Sequence, residues 1–202
     1  MSRRYPTPAE EIAEMRGHVQ SVATVARGRL EPRSGWVRGA WWLSVLVWAG
    51  LAGWTLVRPG GLTVVSDGQV QQLSGWEALI LVGLALLLLP MPWMSRLLLS
   101  PQWAPMVNMP HKDFWVRTPA RLARGERLMW EFLALLTLVT TVLCALPFAL
   151  PSLWADLGWG ELPAAVMVAA MGGLVIGMVV LLVWGMLCFF DPERSAADLP
   201  LE

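Results

Sequence analysis

Four long apolar stretches constrain this chain more than any other feature of its sequence. They cover approximately residues 38–57, 77–99, 129–150 and 163–189. A helix needs about 20 mostly apolar residues to cross a hydrocarbon core roughly 30 Å thick, and each stretch is that long. The chain is also 56% hydrophobic and only 15% charged, which departs from the balance of soluble domains. The sequence therefore predicts an all-α membrane protein with four transmembrane helices.

Lysine and arginine are distributed unevenly around these stretches. Seven fall in residues 1–38 and six in residues 96–127, whereas Arg58 stands alone between the first two spans and Arg194 stands alone in the tail. The loop between the third and fourth spans has none. Because positive residues collect in cytoplasmic loops, we expect both termini and the loop 100–128 to be cytoplasmic.

This topology predicts three parts of the chain. They are a cytoplasmic N-terminal segment at 1–36, a four-helix transmembrane domain at 37–190 and a cytoplasmic tail at 191–202. Pro90 and Pro92 interrupt the second span and make it the least regular. Tryptophans near the span ends predict aromatic belts at both membrane interfaces. Those assigned to the belts are Trp36, Trp41, Trp54, Trp76, Trp103, Trp115, Trp130, Trp154, Trp159 and Trp184.

A separate amphipathic helix is predicted in the N-terminal segment. Thr7 is placed as its N-cap, Pro8 in its first turn, and Glu10 where its carboxylate can close a capping box. Apolar residues then recur at spacings of three and four, which aligns them on one helical face. We assign this face to partner or lipid contact. It could dock on a protein surface, lie in the membrane interface or belong to a solvated tail. The contact residues are Ile12, Met15, Val19 and Val22.

The loop 100–128 is basic, with aromatic residues interleaved. Thr118 followed by Pro119 predicts a helix start, so the third span should begin as a basic extension. Each basic group near an anionic leaflet contributes on the order of 1 kcal/mol, which suffices to hold the loop against the membrane. A specific partner or lipid site is the alternative, and nucleic acid is disfavoured because the cluster is short and adjoins a span. The residues assigned to this contact are Lys112, Arg117, Arg121, Arg124 and Arg127.

The polar residues do not form a recognisable reaction centre. An ionised group inside a bilayer costs at least about 2 to 3 kcal/mol and is usually functional, yet the spans carry none near their centres. Glu77 and Glu131 fall at span ends, where a solvated position is expected. Phosphate-binding loops, metal-spaced cysteine and histidine clusters and nucleophile elbows do not occur. We predict no catalytic, cofactor-binding or metal-binding residues and no enzymatic activity.

Two smaller clusters are assigned to structure rather than chemistry. His111, Lys112 and Asp113 are adjacent loop residues that cannot all face one substrate, which favours loop anchoring. Methionines at 167, 171 and 178 share a helical face. Thioethers can bind copper(I), but a second ligand type is missing nearby, which favours helix packing.

The fourth span carries four small residues at intervals of four. Small residues so placed let helix backbones approach closely in lipid, where van der Waals packing replaces the missing hydrophobic drive. The groove could be filled by a helix of the same bundle or by a helix of another subunit. The residues are Ala165, Ala169, Gly173 and Gly177.

Residues 108–115 read NMPHKDFW. This stretch resembles the "NLPNKDYW" cytoplasmic signature of an uncharacterised group of small bacterial inner-membrane proteins, related to the short domain found in SdpI-type immunity proteins. Gly75 and Trp76 fall where that group has an outer Gly-Trp element. The resemblance implies a four-span protein of the bacterial inner membrane, and it covers about residues 38–190.

Two functions compete at this level. The leading hypothesis is a non-catalytic accessory or scaffold subunit that packs against a larger membrane protein complex, with membrane lipids and other membrane subunits as partners and no cofactor. The alternative is an SdpI-like immunity or envelope-stress sensing protein.

Overall fold

The computed structural model of the chain describes residues 7–26, 34–57, 63–66, 69–72, 83–107, 109–159, 162–197 and 199. The elements follow in chain order. They are α1 (Pro8–Ala26), α2 (Gly35–Val57), β1 (Thr63–Ser66), β2 (Gln69–Gln72), α3 (83–88), a 3-10 turn (Met91–Trp93), α4 (Met94–Leu98), α5 (Lys112–Trp115), α6 (Pro119–Asp156), α7 (Ala164–Phe190) and α8 (Pro192–Ser195).

The chain divides into two compact units. The first unit comprises Met1–Arg33, Pro92–Phe132 and Trp184–Glu202. The second unit comprises Ser34–Met91 and Leu133–Val183. Each is described by itself below.

Both predicted helix starts are confirmed. The Thr7 N–H donates to Glu10 Oε2 at 2.7 Å, and the Glu10 N–H donates back to Thr7 Oγ1 at 3.4 Å, which is a complete capping box. The Arg121 N–H donates to Thr118 Oγ1 at 3.3 Å at the start of α6. In both places a threonine hydroxyl accepts from an N–H that the first turn leaves without a helical partner.

Two of the described helices are long and apolar enough to cross a membrane. α6 contains the third predicted span, and α7 coincides with the fourth. Only 28% of the most apolar stretch of α6 and 6% of that of α7 is buried within the protein. A core helix of a soluble domain buries most of its apolar surface, whereas α7 leaves most of its residues exposed and most residues of α6 are half-buried. α2 coincides with the first predicted span.

The second predicted span is not one continuous helix. Residues 77–82 lie outside the described part. α3 ends at residue 88, and a turn and the 3-10 turn precede α4. Pro90 and Pro92 have no N–H to donate, so carbonyls that a regular helix would satisfy are left open. In the second unit, Trp41 Nε1 donates to Leu89 O at 3.1 Å and so supplies one of the missing donors. The Thr137 hydroxyl lies 3.4 Å from Leu88 O, but its shorter hydrogen bond, of 2.8 Å, is donated to Leu133 O.

The predicted all-α class is confirmed, with the addition of one short two-stranded antiparallel hairpin. β1 pairs with β2 in a register that places Val65 opposite Val70. The strand residues TVVS are rich in β-branched side chains, and the sequence between the strands is Asp67–Gly68, a dipeptide favoured in two-residue hairpin loops. That signal was present in the sequence and was overlooked because the region lies between two apolar stretches.

Trp115 forms the centre of the core of the first unit. Its side chain is fully buried and meets the ring of Phe189 edge-on, with 5.7 Å between ring centroids. Its Cε3 lies 3.3 Å from the position that a Cβ on Gly125 would occupy, so a glycine lets α6 approach this ring. Trp115 and Trp130 were predicted as belt residues at the membrane interface. Both are instead buried, at 0% and 2% exposure.

Candidate functional site

The apolar face of α1 packs against the chain itself. Val19 is fully buried and Val22 is 7% exposed, in one cluster with Leu99, Trp115 and other residues of the first unit. Met15 packs at the edge of this cluster. The prediction that Val19 and Val22 contact a partner or lipid is therefore wrong, because both side chains are buried within the first unit. Ile12, at 40% exposure, remains available.

The basic residues of the 100–128 region are also mostly engaged internally. Lys112 Nζ donates to Pro105 O at 3.0 Å, which bears out its loop-anchoring role. The Arg121 guanidinium lies 4.1 Å from the centroid of the Phe114 ring, a cation–π contact. Arg127 Nε lies 3.0 Å from Glu131 Oε1. Three of the five basic side chains therefore have a partner within the first unit.

Arg124 holds the C-terminal region. Its Nη1 donates to Ser195 O at 3.1 Å, and Ser195 Oγ in turn donates to Cys188 O at 2.8 Å. The Asp191 carboxylate caps α8 by accepting from the Arg194 N–H at 3.2 Å. The sequence assigned Arg124 to an external contact, but its donors serve to fasten α8. Of the five predicted basic contact residues, Arg117 is exposed, and its side chain has no hydrogen bond or ion pair within the described part of the chain.

Glu131 departs from its predicted solvated position. Its side chain is 8% exposed and is paired with the Arg127 guanidinium one helical turn earlier. A buried carboxylate is tolerated only when a counter-charge accompanies it, and here both charges come from α6. The two residues form a structural ion pair within the first unit. The Arg127 guanidinium offsets the cost of burying the Glu131 carboxylate.

A cleft of about 680 Å³ opens beside α1 in the first unit. One wall is a face of α1 formed by Glu11, Glu14, Met15 and His18. The other wall is the segment formed by Asp113, Phe114, Val116 and Arg117. The charged side chains are exposed at the rim, and Val116 is buried at the floor. We call this feature the α1 cleft.

The charge at the rim of the α1 cleft is unbalanced. Among the lining residues, three carboxylates, those of Glu11, Glu14 and Asp113, accompany one guanidinium, that of Arg117. A second guanidinium, that of Arg121, lies against the lining ring of Phe114. Within the described part of the chain, none of the three carboxylates has a side-chain hydrogen bond or an ion pair. Sequence reasoning assigned no role to Glu11, Glu14 and His18. Their spacing of three and four residues, beside the buried stripe, was the signal that marked them as one wall.

The small-residue face of α7 points away from the protein. Ala165, Ala169, Gly173 and Gly177 are all exposed. No atom of the described residues lies within 4 Å of the position that a Cβ on Gly173 or Gly177 would take. Met167, Met171 and Met178 lie on the opposite, half-buried side of α7, in keeping with a packing role. Within the described part of the chain, the groove is not filled by another helix.

Comparisons of the chain with protein-family models, with curated proteins and with solved structures each find no match.

Proposed function

We propose that this chain is a non-catalytic accessory subunit of the bacterial inner membrane that packs against a larger membrane protein through the small-residue face of α7. In this proposal the chain crosses the bilayer four times with both termini in the cytoplasm. Membrane lipids cover the rest of its apolar surface.

The observation that carries the proposal is the open face of α7. Only 6% of its most apolar stretch is buried, and the positions beside Gly173 and Gly177 are vacant among the described residues. Where helices associate in lipid, small residues let the backbones come close enough for van der Waals contact along their length. The same-bundle alternative needs a helix of this chain in that groove. The outward direction of the face favours a helix of another protein.

The four-span arrangement is supported by helix length and by charge. α2 has 23 residues, which at 1.5 Å per residue is about 34 Å and enough for a bilayer core. The hairpin β1–β2 follows α2 in the loop that carries only one basic residue, Arg58. The basic residues concentrate instead in 1–38 and 96–127, the segments that the positive-inside rule assigns to the cytoplasm.

Purification from native membranes in a mild detergent tests the proposal. We expect the chain to co-purify with a larger membrane protein in a fixed ratio, identified by mass spectrometry. Gly173→Leu and Gly177→Leu should abolish the co-purification, because each adds a side chain where the two backbones meet. Neither change should unfold the chain, since no described atom lies beside either glycine.

A matched control distinguishes the groove from lipid exposure in general. Val168 is 70% exposed and lies roughly 140° around α7 from Gly173, at 100° per residue. Val168→Phe adds comparable bulk to the same helix and should leave the complex intact. A wild-type chain that purifies alone, or a complex that tolerates both leucine variants, would refute the proposal.

A further inference from the structure

The α1 cleft combines a small-molecule volume with an acidic rim. Its volume of about 680 Å³ lies within the range of roughly 300 to 1,000 Å³ that is usual for small-molecule sites. Its wall residues Met15 and Phe114 are half-buried, so an occupant would meet their exposed apolar atoms. Val116 is 3% exposed and contributes almost no free surface.

The carboxylates at the rim favour an occupant with a positive charge. Glu11 and Glu14 lie one turn apart on α1, and Asp113 lies on the opposite wall. Carboxylates on both walls act on the same open cleft, and together they attract a cation. Since these carboxylates are not paired with described cationic side chains, their field is not cancelled locally.

Phe114 adds apolar contact area to the cleft. Its ring lines the cleft and already holds the Arg121 guanidinium at 4.1 Å from the centroid, so its contribution to an occupant is apolar contact. An anion would meet three carboxylates and the guanidinium groups of Arg117 and Arg121, a lining with a net negative charge.

We propose that the α1 cleft is a binding site for an amphiphilic organic cation, a protonated amine or quaternary onium group that carries an apolar body. The cationic centre lies between the carboxylates of Glu14 and Asp113, and the apolar body rests on Met15 and Phe114. Arg117 opposes binding and limits affinity. The site does not include residues of the groove on α7, so its test is independent of the accessory-subunit proposal.

Calorimetric titration of the full chain in an uncharged maltoside detergent tests this site, with protein-free micelles as blanks. The probes are tetraphenylphosphonium and tetraphenylborate, which share shape and apolar surface and differ in charge sign. Tetraphenylphosphonium should bind with one-to-one stoichiometry and at least about tenfold more tightly than tetraphenylborate. Affinity should fall as salt is added, because the rim charges are exposed to solvent.

Three variants distinguish binding in the α1 cleft from non-specific binding of the probe to the protein surface. Glu14→Gln should weaken tetraphenylphosphonium binding roughly fivefold, the effect of one nearby charge at a surface. Glu193→Gln removes one carboxylate from α8, outside the cleft, and should leave the affinity unchanged. Arg117→Gln should tighten binding by a similar factor, and a merely structural role of these residues would not give opposite signs.

Melting temperatures of the three variants should match that of the wild type, since each altered side chain is exposed. The proposal is overturned if the wild type does not bind tetraphenylphosphonium or if the two probes bind equally. It is also overturned if Glu14→Gln and Glu193→Gln have the same effect.

Discussion

The indole Nε1 of Trp48 donates a hydrogen bond of 3.1 Å to Thr141 Oγ1, and both residues are almost fully buried in the second unit. Trp48 lies on α2 and Thr141 on α6, so the bond joins two predicted spans. Near it, Leu89 O at the interruption of the second predicted span accepts from Trp41 Nε1 of α2 at 3.1 Å. Both of these indole donors of α2 therefore have an acceptor within the protein, as is usual for buried polar groups.

Thr141→Val tests the bond between Trp48 and Thr141. The substitution keeps the shape of the side chain but leaves the indole N–H buried without an acceptor. We expect a loss of about 1 to 2 kcal/mol in the free energy of unfolding. Unfolding in mixed micelles, followed by tryptophan fluorescence, would measure it. In a Trp48→Phe background, Thr141→Val should lower the free energy of unfolding much less. If the effects of the two substitutions simply add, the hydrogen bond is contradicted.

Arg127 and Glu131 form a pair whose halves should be strongly coupled. Arg127→Leu leaves a carboxylate that is 8% exposed without its guanidinium, and we expect a loss of about 3 to 5 kcal/mol. Arg127→Leu combined with Glu131→Leu removes both charges and should recover most of that loss. Denaturant unfolding of the two single variants and the double variant measures the coupling. A double variant as unstable as the sum of the single ones would refute the pairing.

Gly185 and Gly173 lie on α7 and should respond in opposite ways to alanine. A methyl group on Gly185 would collide with the ring of Phe132, whereas the position beside Gly173 is open among the described residues. Alanine improves helix propensity by about 1 kcal/mol at either site, but overpacking costs about 1 to 3 kcal/mol. Gly185→Ala should thus lower the thermal midpoint of the detergent-solubilised chain, and Gly173→Ala should maintain or raise it. Phe132→Leu should rescue Gly185→Ala, and failure to do so would show that the ring is not the obstacle.

Glu10 makes the start of α1 dependent on pH. The Thr7 N–H and then the Thr7 hydroxyl donate to its carboxylate and hold the pKa of Glu10 below its ordinary value of 4.5. Since the pKa is lower in the folded state, the stabilisation is complete above pH 4.5 and is lost as pH falls through the lowered pKa. The protection factors of amides in the first turn of α1, which divide the intrinsic exchange rate at each pH by the observed rate, should fall on acidification across that window. In Glu10→Gln the same protection factors should change much less with pH.

Local signals predicted the helix starts reliably. Thr7 with Glu10, and Thr118 with Pro119, each occupy the positions that sequence reasoning assigned to them. Caps are predictable because the donor and the acceptor lie within three residues of each other. The two apolar helices α6 and α7 were equally clear, since helix length and apolar composition are properties of a continuous stretch. The hairpin at 63–72 was missed although its own local signal, a β-branched run with Asp-Gly, was present.

The sequence did not predict which residues of a helical face are exposed and which are buried. Val19 and Val22 share a face with Ile12, and periodicity treats them alike, yet the first two are buried and the third is exposed. Lys112 and Arg117 likewise read as equivalent basic residues, although only Lys112 reaches a backbone carbonyl within the chain. Sequence spacing defines a helical face, but it does not say what covers that face.

The sequence by itself determined the predominantly helical architecture, the positions of the two long apolar helices and the presence of small residues on one face of the last one. Those features follow from composition and from periods of three to four residues, which act over one or two turns. Only the tertiary structure decided that α1 folds onto Trp115, that the carboxylates of Glu11, Glu14 and Asp113 surround one cleft, and that Gly173 and Gly177 face outward. These outcomes depend on contacts between residues about a hundred positions apart, whose free energies the local pattern does not contain.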